Sequence, residues 1–136
     1  MHRDFRSQKG FTLVEVLAVL IIVAILAGIG TPIYLKYIKS ARSADAQTTI
    51  SAIVTANKIH YQKTGRYVND LAVLKKDDGF QIDPATEVNW KFEIGASDDQ
   101  FTDLKATSTE DMAGGADKSV EYKVLTGKFS GYGIDD

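Results

Sequence analysis

With 136 residues, 44% of them apolar and 25% charged, the chain has room for one ordinary domain and the average composition of a soluble globular protein. The average hides a division: residues 1–63 carry eight Lys/Arg against three acids and residues 64–136 carry eight against fifteen, so the two parts net +5 and −7. There is no cysteine, and His2 and His60 are the only histidines. Disulfides, thiolate metal sites and cysteine nucleophiles are therefore excluded, and an enzyme is the weakest of the functional classes.

The segment from Phe11 to Ile33, FTLVEVLAVLIIVAILAGIGTPI, holds a single charge, Glu15. As a helix it covers about 34 Å, enough for a bilayer core of roughly 30 Å. A cleaved secretory signal would use Val16–Ile29 as its apolar core and Gly28 and Gly30 as small residues before the cut. An acid at the front of that core, and a helical pattern that continues past Pro32, speak against it. A buried helix of a soluble protein would need protein on all sides, and the polar remainder of the chain is too small to supply it. A membrane-inserted anchor is the favoured reading. Its orientation is close to a tie, with Arg3, Arg6 and Lys9 on one flank and Lys36, Lys39 and Arg42 on the other. Glu15 has two readings from the residues alone: it snorkels to the headgroups, or it pairs with a cation on another copy of the chain.

A basic leader ending in Lys9–Gly10, followed by Phe11-Thr12-Leu13-Val14-Glu15 and an unbroken apolar helix, resembles the N-terminus of the type IV pilin-like superfamily, the type IV pilins and type II secretion pseudopilins. The resemblance covers residues 1–35 strongly and the rest in outline. It implies that a prepilin peptidase cuts between Gly10 and Phe11 on the cytoplasmic side, and that Phe11 becomes an N-methylated N-terminus. It also implies that Glu15 neutralises the Phe11 ammonium of a neighbouring subunit during assembly. The N-terminus then lies inside and the globular end outside. Many type IV pilins close a C-terminal loop with a disulfide, which this chain cannot do.

Further along, Pro32 removes a backbone hydrogen bond and Gly28 and Gly30 weaken the turn before it, so a kink or a stretch able to melt is expected at Gly28–Pro32. Leu35, Ile38, Ala41, Ala46, Ile50, Ile53, Asn57 and Tyr61 continue as a stripe close to helical period, and Gly65 stands where a C-terminal cap belongs. One helix of about 80 Å is expected from about Phe11 to Thr64. Tyr34 and Tyr37, beside Lys36 and Lys39, suit an interfacial aromatic belt.

Residues 65–136 are polar and punctuated. A loop and short helical turn over Gly65–Leu74 precede turns at Lys75–Gly79 and Asp83–Pro84. Val88, Trp90, Phe92 and Ile94 alternate with polar residues, as a half-buried strand does; Gly95–Gln100 reads as a hairpin connection and Phe101–Ser108 as the second strand. Val120, Tyr122 and Val124 mark a third, with Phe129 and Tyr132 close to the C-terminal glycines. The fold class expected is α+β: a long N-terminal helix packed on a small antiparallel sheet of three or four strands. Its divisions are a leader over 1–10, a membrane or filament-core helix over 11–34, an amphipathic half over 35–64 and a β-meander domain over 65–136.

No cofactor and no resident metal is expected. Calcium is the alternative weighed, at loops flanked by Asp98, Asp99 and Asp103 and by Asp111 and Asp117, where no EF-hand spacing exists. The −7 half repels phosphate, so nucleic acid binding by the globular domain is not expected. The function expected is that of a structural subunit of a type IV pilus-like filament, with a secretion pseudopilin as the alternative. Its partners, by the resemblance, are identical and related pilin subunits, prepilin peptidase, the inner-membrane assembly platform with its ATPase, and the membrane before assembly. The subunit would first sit as a single-pass inner-membrane protein with its N-terminus in the cytoplasm, then in a periplasmic or extracellular filament. The rival is a membrane-tethered monomeric binding module, for which Glu15 has no task.

Overall fold

A computed structural model describes residues 10–77 and 79–135. Helix α1 spans Leu13–Thr64; α2 (Leu71–Asp77) and α3 (Pro84–Asn89) follow; then come strands β1 (Trp90–Ala96), β2 (Phe101–Ser108), β3 (Ser119–Lys123) and β4 (Lys128–Gly131). The chain divides between Leu35 and Lys36 into two compact units. The first holds the apolar part of α1. The second holds the rest of α1 and everything after it.

In the second unit the four strands form one antiparallel sheet in sequence order, β1-β2-β3-β4. Register is set by period two: Trp90 and Ile94 of β1 and Leu104 and Ala106 of β2 turn inward while Lys91, Glu93 and Asp103 face water. Onto these, with Val120, α1 lays Ala46, Ile50, Ile53 and Val54. Full burial of each large apolar side chain contributes roughly 1.5–3 kcal/mol, so Ile50, Ile53, Leu74, Leu104 and Val120 hold the unit together. Gly65, at φ +77°, ends α1 by donating its N–H to the Tyr61 carbonyl at 2.7 Å, the left-handed cap that a residue without Cβ adopts at low cost.

The buried stripe is shorter than its apolar pattern and shifted from it. Leu35, Ala41 and Tyr61 are exposed and Ile38 is half-buried, whereas Ser43 and His60 are buried. The sheet and the C-terminal segment decide this. A Cβ on Gly133 would lie 2.6 Å from the Lys39 carbonyl and 2.9 Å from the Ser43 hydroxyl, so glycine lets that segment lie against α1 over a small polar side chain.

Two stretches expected as turns are helical. Lys75 to Asp77 complete α2 after Asp70 accepts from the Ala72 N–H at 2.8 Å. Asp83 accepts from the Ala85 N–H at 2.8 Å with Pro84 in the first helical position, which launches α3. Val88 and Asn89 therefore belong to α3, and the strand expected from Val88 begins at Trp90, where the backbone turns extended.

Asn57, fully buried within the stripe, holds the chain after α1. Its amide nitrogen donates to the Val68 carbonyl at 2.9 Å and its oxygen accepts from the Val68 N–H at 3.0 Å. Asn57→Ala orphans both backbone groups, at a cost of about 2–4 kcal/mol. Thermal unfolding of the detergent-solubilised full chain should show a clearly lowered midpoint, and an unchanged one would rule out this pairing.

Candidate functional site

The N-terminal end of α1 is built around one four-residue box. Thr12 precedes the helix, and Glu15 is its third residue. The Thr12 N–H donates to Glu15 Oε2 at 2.7 Å, the Thr12 hydroxyl donates to the same oxygen at 3.1 Å, and the Glu15 N–H donates to Thr12 Oγ1 at 3.3 Å. Reciprocal bonds of this kind satisfy two of the N–H groups that a helix start leaves without partners. The signal was present in the sequence as Thr-x-x-Glu before an apolar run; reading the acid only for its charge hid the part played by Thr12. The leader expected over residues 1–10 lies outside the described residues apart from Gly10. Gly10 and Phe11 precede the helix, and Phe11 is 90% exposed.

Beyond the box the first unit presents apolar side chains on every face. Leu13, Val14, Ile21, Ile22, Leu26, Ile29 and Ile33 are all at least half exposed, and none of the most apolar window is buried within the chain. In water this surface would be untenable; lipid or other helices must cover it. The helix continues through Gly28, Gly30 and Pro32, where the proline supplies no N–H to the Gly28 carbonyl. The Thr31 hydroxyl donates to the Ala27 carbonyl at 2.9 Å in the same turn.

Three of the acids weighed for calcium have ordinary partners. Asp98 lies 3.8 Å from Arg66, Asp99 accepts from the Ser97 hydroxyl at 3.4 Å and Asp103 from the Thr102 hydroxyl at 2.6 Å. Asp111 and Asp117 are exposed in the loop between β2 and β3, and among the described residues no three His, Asp or Glu side chains gather to hold a metal.

Residues 5–31 match the family model of the prokaryotic N-terminal methylation motif. The chain is 30% identical to the type IV major pilin protein PilA of Myxococcus xanthus (strain DK1622) over 67% of its own length and 40% of that protein's. It is 29% identical to a fimbrial protein of Pseudomonas aeruginosa over 95% of its own length and 75% of the relative's. The motif and these likenesses are those of a type IV pilin-like protein.

Another relative of this pilin-like chain is the prepilin peptidase-dependent protein D of Escherichia coli (strain K12), 34% identical over 51% of this chain and 60% of that one. The match thus spans less than half of the Myxococcus pilin and three-quarters of the Pseudomonas protein. No solved structure gives a significant match. The α+β architecture, a long N-terminal helix packed on a small antiparallel sheet, is that of a pilin, and the family is one of structural subunits rather than enzymes.

Proposed function

We propose that the chain is a structural subunit of a type IV pilus-like filament, cut between Gly10 and Phe11, methylated at Phe11 and polymerised through its apolar helix. The observation that carries this reading is the surface of residues 13–33, apolar on all sides and opened by the Thr12–Glu15 box two residues after the Gly10–Phe11 bond. The helix does not include that bond, so a peptidase can bind it as extended backbone.

Before assembly the helix sits in the inner membrane with the N-terminus in the cytoplasm and the Lys36–Asp136 unit outside. On assembly, neighbouring helices replace lipid around it. Cutting creates an ammonium on Phe11 among apolar side chains, where Coulomb attraction is several times stronger than in water, and Glu15 of another subunit is the partner that offsets both desolvation costs. The turn from Gly28 to Pro32, short of one helix bond and containing two poor helix formers, is where α1 yields as subunits pack. The partners follow: identical and related pilin subunits, prepilin peptidase, and an assembly platform with an ATPase that extracts the subunit from the membrane. The chain holds no resident cofactor in this reading. A secretion pseudopilin is the second reading, supported by the absence of any cysteine for a C-terminal disulfide loop.

Mass spectrometry of the chain recovered from producing cells tests the reading. The N-terminal peptide should begin at Phe11 and carry one added methyl group. A peptide beginning near Thr31 would make residues before it an ordinary signal sequence and end the filament reading.

A further inference from the structure

The Thr12 side chain does more than close a helix end. Its hydroxyl and its own backbone N–H converge on a single oxygen of Glu15, at 3.1 and 2.7 Å, and so turn the carboxylate back toward the N-terminal side of the helix. That is the side on which Phe11 lies, and Phe11 carries the amine once the Gly10–Phe11 bond is cut. An acid in an apolar environment without such bonds would be left with no polar partner and free to take several rotamers, most of them aimed into lipid. Phe11, Val16, Val19 and Leu20 border the same groove, about 540 Å³, that Glu15 lines, so the oxygen held by Thr12 sits among apolar walls where a directed charge matters most.

We propose that Thr12 is a positioning residue for assembly: its hydroxyl holds the Glu15 carboxylate at the N-terminal face of the helix in the unassembled subunit, ready to exchange this cap for the ammonium of an incoming copy. The inference rests on the filament reading, and it assigns Thr12 a role exercised through Glu15 alone. A residue that merely capped the helix would act independently of the charge on residue 15, because glutamine serves the box as well as glutamate does.

Co-assembly tests it. Full-length variants are produced together with the native chain, and their incorporation into filaments is measured by mass spectrometry relative to their abundance as processed subunits in the membrane. Thr12→Val, which keeps the shape and removes the hydroxyl, should incorporate about ten- to a hundredfold less than the native chain, as the loss of one hydrogen bond to a charged group implies. Thr12→Ser should restore native incorporation. The double variant Thr12→Val with Glu15→Gln should incorporate no worse than Glu15→Gln alone. Native incorporation of Thr12→Val, or defects that multiply in the double variant, would overturn the positioning role while leaving the filament reading intact. Native incorporation of Glu15→Gln would instead overturn the filament reading's charge pair, and the positioning role with it.

Discussion

Glu15→Gln subunits should be inserted, cut after Gly10 and methylated as the native chain is, and should then fail to build filaments. Glutamine can accept the Thr12 N–H and hydroxyl bonds, so the box that opens α1 survives the change. What disappears is the charge. An incoming Phe11 ammonium would be buried among apolar helices with no counterion, and breaking a buried pair by removing one partner costs about 3–5 kcal/mol. That corresponds to at least about a hundredfold loss at each addition. Because α1 is repeated in every subunit, each step of growth meets the same penalty. Glu15→Ala should behave in the same way and lose the cap as well. Electron microscopy of sheared material, with immunoblots for the processed form in membranes, separates the two stages. Normal filaments from the glutamine variant would mean that Glu15 serves the helix cap alone.

Gly10→Val should stop the pathway one step earlier. A β-branched side chain next to the scissile bond blocks close approach of the backbone to a peptidase and stiffens it. The fold gives no other reason for harm: a Cβ on Gly10 meets nothing within 4 Å, and the residue lies outside α1. Uncut chain should therefore accumulate in the membrane with its globular unit fully folded, and processed chain should fall by about two orders of magnitude, a loss of close to 3 kcal/mol in transition-state binding. Thermal unfolding of the uncut variant should match that of uncut native chain. Efficient cutting of Gly10→Val would show that the bond is recognised without close backbone contact.

The two changes divide the chain as its physics does. In the filament reading residues 10–35 are the part that is processed and polymerises, and the most apolar window of α1 is covered by none of the described residues. The second unit folds around the later part of α1, and damage there, as with Asn57, acts on stability first.

Much of this was legible from residue pattern because the forces involved are periodic. The alternation at Trp90, Phe92 and Ile94 marks a sheet covered on one face, and the unbroken apolar run before Pro32 marks a helix with nothing of its own to pack on. What was not legible depends on partners distant in sequence or on local bonds that compete with pattern. Val88 looked like the start of a strand, but the Asp83 cap and Pro84 had already committed the backbone to a helix that ends only at Asn89. Ser43 stands outside the apolar stripe, yet the close approach of Gly133 buries it. A fourth strand, Lys128–Gly131, is too short for alternation to announce and exists because β3 offers it an edge to pair with. At the N-terminal end, the resemblance of the leader singles out Gly10, Phe11 and Glu15 and passes over Thr12, whose part is defined by an oxygen three residues away.

The most direct test is a filament reconstruction at a resolution that places side chains. The account predicts a Glu15 carboxylate oxygen within about 3 Å of the Phe11 amine of another subunit, no longer held by its own Thr12 hydroxyl. A carboxylate still folded onto Thr12 in every subunit, with no neighbouring amine in reach, would contradict it.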